Sequence, residues 1–278
     1  MSSARRRRPY GYAPQRLCCH RRIGFGGVGM LTGASLITLG LYLAFCHFAT
    51  ESRYHALARS TSIALEASDS LDKDEIKADE TQPRDWRRVF ETNEDVGAWI
   101  RVEGTTIDLP VMLCSSHDAS YYLCHDLWGN YAFEGVPFLD HRCSATGMHR
   151  LVFGHRLAMG GQFSELQKAY EQEVFDTLGA CHWCLPDGSE SVLLPAFSLS
   201  VDMWFGDVQR FDFEDDGQLR VWLSELSQQA TAVSPECKQL LDNASSAVTL
   251  VTCSSDYAHQ EWRTLTVFVD AGTRSEEQ

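Results

Sequence analysis

Val248-Thr249-Leu250-Val251-Thr252-Cys253 is followed by Trp262-Arg263-Thr264-Leu265-Thr266-Val267-Phe268-Val269, so Arg263 stands ten residues after Cys253. Both runs are rich in β-branched and apolar residues, the signature of strands. Upstream, the apolar Leu151-Val152-Phe153 leads into Gly154-His155. A nucleophile, a candidate acid/base and a fixed cation therefore stand on or beside strand-like segments.

The pattern continues on both sides. Trp99-Ile100-Arg101-Val102-Glu103 alternates, Gly104-Thr105 turns, and Ile107-Asp108-Leu109-Pro110-Val111-Met112-Leu113 resumes. Further strands are expected over 135–139, 150–153, 180–185, 191–200, 247–252 and 264–269. Many short strands with turn signals argue for a barrel or sandwich. Helices are expected over 163–170 and over 218–230, where Leu219, Trp222, Leu223 and Leu226 share one face. Trp86, Val89 and Phe90, at i, i+3 and i+4, predict a short amphipathic helix over 84–92.

Charge is distributed unevenly along the 278 residues. Residues 1–50 hold seven of the 24 basic residues and none of the 38 acidic ones, leaving 17 basic against 38 acidic, a net of −21, in the remainder. Such a body repels phosphates, which argues against nucleic-acid binding. Residues 23–50 carry no charged side chain, a stretch longer than the ~20 apolar residues a spanning helix needs. Arginine before the stretch and acid after it predict an N-terminus in the cytoplasm and a body outside. A cleaved signal peptide, with an apolar core of roughly 7–15 residues, fits less well. The helical spacing of Tyr54, Leu57, Ile63 and Leu65 predicts a stalk helix over 51–66, and 67–83 reads as an acidic linker.

Six blocks of the chain, in order, resemble the class B sortases, cysteine transpeptidases of the Gram-positive cell surface. Residues 93–100 (Asn-Glu-Asp-Val-Gly-Ala-Trp-Ile) and 104–111 (Gly-Thr-Thr-Ile-Asp-Leu-Pro-Val) resemble the class's N-terminal signature. Tyr121-Tyr122-Leu123 and Gly135-Val136-Pro137-Phe138-Leu139-Asp140 resemble its next two blocks. Phe153-Gly154-His155 with Phe163-Ser164-Glu165-Leu166 resembles its histidine block, and Thr249-Leu250-Val251-Thr252-Cys253 with Arg263 its nucleophile block. The resemblance covers 86–269. It implies a mainly β, mixed barrel of about eight strands with an N-terminal helix and an extra helix before the cysteine strand. Together with the charge and hydropathy pattern, it divides the chain into a basic tail (1–22), a transmembrane anchor (23–50), a stalk and linker (51–83), a catalytic domain (84–272) and a short tail (273–278). Two positions depart from the family pattern: Arg156-Leu157 follows the histidine in place of Asn-Met, and Gln162 precedes Phe163 in place of Met.

The chemistry follows from the residue types. The Cys253 thiolate can attack an amide carbonyl and form a thioester that an amine opens. His155, with an ordinary pKa near 6.5, can protonate a leaving amine and deprotonate an incoming one. Arg263 offers a fork of donors that never deprotonates, suited to a carbonyl oxygen gaining charge. On an alternating strand it shares a face with Leu265 and Val267, which is odd for a plain solvated face. His117, His125, His141, His149, His182 and His259 are read as surface or satisfied core residues. No cofactor and no metal are expected. The implied partners are secreted proteins with a C-terminal sorting motif, of the Asn-Pro-x-Thr type, and a peptidoglycan-precursor or pilin amine, with one membrane span holding the enzyme at the cell surface. A cysteine protease using water shares the acyl-enzyme half and stays open, as does a non-catalytic surface binding domain. An L,D-transpeptidase is disfavoured, because that family places its arginine close after the cysteine.

Of the ten cysteines, Cys18 and Cys19 precede the apolar stretch and Cys46 lies in it. Without Cys253, six remain in the body, an even number that invites a disulfide framework. Cys181 and Cys184, at i and i+3 on an expected strand, point to opposite faces, so neither a local disulfide nor shared zinc fits them. Mostly free or partly buried thiols are expected.

Overall fold

The computed structural model describes residues 25–60, 87–114, 118, 120–254 and 261–270. It begins with helix α1 (Phe25–Ser60) and a short helix α2 (Arg87–Phe90). Strands β1 (Val96–Val102), β2 (Asp108–Met112), β3 (Phe138–Leu139) and β4 (His149–Phe153) follow. After helix α3 (Gln172–Phe175) come β5 (Cys181–Cys184) and the long β6 (Glu190–Asp202). Helix α4 (Asp216–Ser227), β7 (Ala232–Val233) and helix α5 (Cys237–Asn243) lead into β8 (Ser246–Cys253) and β9 (Trp262–Asp270).

The strands hydrogen-bond in the order β5-β1-β2-β3-β4-β8-β9-β6, and β6 pairs back onto β5. That closes an eight-stranded barrel, with the two-residue β7 paired on the outside of β6. β2–β3 and β4–β8 are parallel and the other ladders antiparallel, so the barrel is mixed. Closure removes the free edges that an open sheet would expose.

β4, β8 and β9 alternate between two cores, as period-two side chains must. Val152, Val248, Leu250 and Phe268 face the barrel interior with Ile100 and its cross-strand partner Trp183. Leu151, Val251, Leu265 and Val267 face outward, where Leu219, Trp222, Leu223 and Leu226 of α4 and Leu240 and Leu241 of α5 cover them. Each such apolar side chain contributes about 1.5–3 kcal/mol on burial. Asp215 caps α4 by accepting a hydrogen bond from the Gln218 amide at 2.8 Å. α4 is the helix expected before the cysteine strand. α5, also before it, is an addition. The helix expected over 163–170 is instead a 3-10 turn at Ser164–Leu166, with α3 beginning only at Gln172.

Two units divide at Phe45. In the first, Leu36, Ile37, Leu41 and Phe45 of α1 are exposed. Gly33–Ser60 is long and apolar enough to cross a membrane, judged by length and composition. In the second unit, the end of α1 packs on the barrel: Tyr54 is 1% exposed and stacks on Trp128 at 5.6 Å between centroids. The Arg53 guanidinium lies over the Trp128 ring at 3.5 Å, and His47 Nδ1 meets Glu134 Oε1 at 2.8 Å. The expected stalk helix is thus the tail of α1, as far as Ser60. The expected linker, 67–83, lies outside the described residues.

Outside the barrel wall, His182 of β5 sits between two carboxylates. Its Nδ1 is 2.6 Å from Glu190 Oε1 and its Nε2 2.8 Å from Glu103 Oε1. The bond to Glu190 raises the His182 pKa above its ordinary 6.5, and the bond from His182 lowers that of Glu103 below 4.5. A raised histidine stabilises the fold fully below its unfolded value and loses that contribution as pH rises through the folded one. A lowered carboxylate stabilises above its unfolded value and fails as pH falls through the folded one. Between about 4.5 and 6.5 both contributions are present. The Tm deficit of His182→Gln is expected to be largest in that window and to shrink at higher pH. A deficit that stays constant from pH 5 to 9 would count against the charged pair.

Candidate active site

Strand pairing and a shared cavity bring the three candidate residues together. β4 and β8 pair in parallel with His149 opposite Ala247 through Phe153 opposite Val251. The Gly154 amide donates to the Val251 carbonyl at 3.0 Å and belongs to the Phe153–Val251 pair that ends the ladder. His155 lies two residues past Phe153, beyond that ladder, and lines one cavity with Cys253 and Arg263. On the other side β8 and β9 are antiparallel, and Cys253 lies directly opposite Arg263. Facing residues on such a pair have Cβ atoms about 5 Å apart.

All three share a face by parity. Leu151, Val251 and Leu265, each two or four residues from its partner of interest, belong to the outer core under α4 and α5. His155, Cys253 and Arg263 therefore leave the sheet on that outer side, past the end of the helical cover. There they line one cavity of about 520 Å³ with Phe153, Val201, Met203, Phe205, Val251 and Leu265. The walls are mostly apolar, with Asp202, Gln209 and Thr252 as further polar lining, as in a pocket for a small or extended ligand.

Local packing sets the histidine. Gly154 gives the Phe163 ring room: a Cβ there would lie 2.4 Å from Phe163 Cδ2. The Phe163 amide donates to the His155 carbonyl at 3.1 Å and closes the loop between them. That loop runs through Gly160, Gly161 and Gln162, all in the left-handed region. For Gln162, at φ 50°, this costs about 1–2 kcal/mol. Gln162 is 3% exposed, and its Nε2 donates to the Gly135 carbonyl at 3.0 Å. The imidazole Nε2 of His155 is 2.9 Å from the Leu123 carbonyl oxygen. A carbonyl only accepts, so Nε2 carries hydrogen, and Nδ1 is the nitrogen left to exchange a proton in the neutral ring. Arg263 Nη1 donates to the Trp262 carbonyl at 2.9 Å, which orients the guanidinium.

Other histidines and cysteines differ in surroundings. His149 is buried, and burial pushes its pKa down to about 4. Its Nδ1 donates to the Arg210 carbonyl at 2.8 Å, and the Thr249 hydroxyl lies 2.9 Å from Nε2. It is a satisfied core residue. His117 and His259 lie outside the described residues. Burial raises the thiol pKa of Cys114 to about 11 and those of Cys143 and Cys181 to about 12. The eight described cysteines, Cys253 included, are free thiols. Among the described residues, no three His, Cys, Asp or Glu side chains are grouped to hold a metal ion.

The sequence patterns do not disclose two parts of the site. The Leu123 carbonyl acts through its backbone, which leaves no residue-type signal. Val201, Met203 and Phe205 lie in an apolar stretch that reads only as strand end and loop.

No family model matches the chain. Its fold is that of the sortases: the solved structure of Bacillus anthracis sortase B in complex with AAEK1 superposes with a TM-score of 0.59 at 18% identity, over 81% of this chain and 99% of that one. By sequence it is 22% identical to Listeria monocytogenes sortase B over 187 residues, 64% of this chain and 70% of that protein. It is 24% identical to Staphylococcus aureus sortase B over 178 residues, 63% and 70% respectively. Sequence and fold together support a member of the sortase family, a family of cysteine transpeptidases, most like class B.

Proposed function

We propose that this chain is a membrane-anchored cysteine transpeptidase that cleaves a C-terminal sorting signal and joins the new carboxyl end to an amine. The observation that carries the reading is the pairing of Cys253 opposite Arg263, with His155 lining the same mostly apolar cavity. Cys253 Sγ attacks the scissile carbonyl, and the C–N bond breaks as His155 gives a proton to the leaving amine. A thioester remains on Cys253. A second amine, from a cell-wall precursor or a pilin, loses a proton to His155 and attacks the thioester carbonyl. The C–S bond breaks, an amide forms and the thiol is restored. Arg263 donates to the carbonyl oxygen while it carries charge in both halves.

The apolar stretch in 23–50 and the arginines before it support a single span with the N-terminus in the cytoplasm and 84–272 outside as the catalytic domain. The test is incubation of the full chain with fluorogenic sorting-motif peptides, of the Asn-Pro-x-Thr type among others, with and without an added amine. An amine-ligated product is expected. Cleavage that yields only the free acid at every amine concentration would replace this reading with a hydrolytic protease, and no cleavage of any peptide would favour a binding domain.

A further inference from the structure

We infer that Gln167 is a positioning residue that ties together the three segments carrying His155, Cys253 and Arg263. The inference rests on the reading of those three as the reacting set. Gln167 Oε1 accepts from Arg156 Nε at 3.0 Å, and Arg156 is the residue after His155. Gln167 Nε2 donates to the Ser254 carbonyl at 3.1 Å, and Ser254 is the residue after Cys253. The backbone carbonyl of Gln167 accepts from Thr264 Oγ1 at 2.6 Å, and Thr264 is the residue after Arg263. The Ser254 and Thr264 hydroxyls meet at 2.9 Å and close the ring.

An amide side chain suits this place because it offers an acceptor at one end and donors at the other. A carboxylate would keep the Arg156 contact and set an oxygen against the Ser254 carbonyl. An alanine would lose both. The residue is itself held, since its amide donates to the Ser164 carbonyl at 3.1 Å in the 3-10 turn whose Leu166 is buried.

The strands alone leave a gap that this residue spans. The β8–β9 ladder reaches Cys253 and Arg263, but β4 ends at Phe153, and the bond from the Gly154 amide is the last backbone link from that strand to β8. His155 lies beyond it. Through Arg156 and Ser254, Gln167 carries the connection onward on the far side of the histidine. Arg156 stands at a position where this chain departs from the class B pattern, so the clamp belongs to this chain's own residues.

The test uses the full chain in detergent, with Gln167→Ala, Gln167→Glu and, as a control on an exposed neighbour, Lys168→Ala. Two readouts are needed: kcat and KM for a cleaved peptide, and the pH profile of Cys253 alkylation by iodoacetamide, followed on the Cys253 peptide by mass spectrometry. Misplacement of reacting groups by about 1 Å costs on the order of 10²-fold. Gln167→Ala is expected to lower kcat by about 10- to 100-fold with KM changed less than about threefold, and to shift the alkylation profile. Gln167→Glu is expected to be no more active than Gln167→Ala, and should the alanine variant fail to fold, the glutamate variant, which keeps the Arg156 contact, carries the test. Lys168→Ala should match wild type in both readouts. Wild-type kcat in both Gln167 variants, or a fall in Tm without any change in the alkylation profile, overturns the inference. If wild type cleaves no peptide, the transpeptidase reading fails, whereas a shifted alkylation profile in the Gln167 variants still supports the clamp.

Discussion

Cys253→Ala is expected to abolish peptide cleavage and thioester formation while leaving the fold intact. The covalent bond to substrate is made by sulfur, and alanine offers no replacement. Removing the nucleophile of a comparable hydrolytic triad costs on the order of 10⁶ in turnover. Cys253 is the last residue of β8 and is only half-buried, so losing its sulfur should cost about 1 kcal/mol of stability or less. Cys114→Ala, Cys143→Ala and Cys237→Ala give the contrast. Burial raises the thiol pKa at all three positions, which keeps them protonated and inert. They should lose stability, since each leaves a small void in or beside a core, and keep activity. The measurement is peptide turnover together with mass-spectrometric capture of the acyl-enzyme. Wild-type turnover in Cys253→Ala, with one of the other three inactive, would show that the nucleophile had been misassigned.

Arg263→Lys is expected to lower turnover by about 10²–10³, with Arg263→Ala at least as low. Lysine keeps the charge and loses the planar fork. That fork is oriented here, because Nη1 already donates to the Trp262 carbonyl and the Arg263 backbone is fixed opposite Cys253. An ammonium on a flexible stem reaches the same carbonyl oxygen with a different direction and one compact group. Affinity for the unreacted peptide, measured on the Cys253→Ala background, should change much less, since the contact tightens as negative charge builds on the oxygen. Near-normal turnover in Arg263→Lys would mean that charge alone is enough or that this arginine stands outside the site.

The elements around the candidate site are the most legible in the sequence. The β-branched and apolar runs at 247–252 and 264–269 mark β8 and β9 to within a residue or two, because each strand is buried on both faces. The spacing of Leu219, Trp222, Leu223 and Leu226 marks α4, whose one apolar face has one surface to cover. Short elements are harder. α5 shows only Leu240 and Leu241, and the two-residue β7 carries no period at all. The 163–170 segment has helical composition, yet it follows three positive-φ residues, Gly160, Gly161 and Gln162, with Phe163 packed over Gly154, and it forms a 3-10 turn at Ser164–Leu166. The packing of Tyr54 on Trp128 is a meeting of residues 74 positions apart, as is the convergence of Arg156, Gln167, Ser254 and Thr264 over a still longer span. Local pattern carries no trace of such contacts, since they depend on how the barrel closes.

The parallel pairing of β4 with β8 also orders events in time. About ninety residues separate the end of β4 from the start of β8. Closing a loop of that length costs about 4 kcal/mol of chain entropy before any contact rewards it. β8 and β9 are separated by only eight residues of chain and are expected to pair early, whereas β4 is expected to wait for nearly the whole domain. His155 is therefore expected to reach Cys253 among the last steps of folding. On the proposed roles, a half-folded chain would carry the thiol without its proton carrier, and reactivity is expected only once β4 has paired with β8.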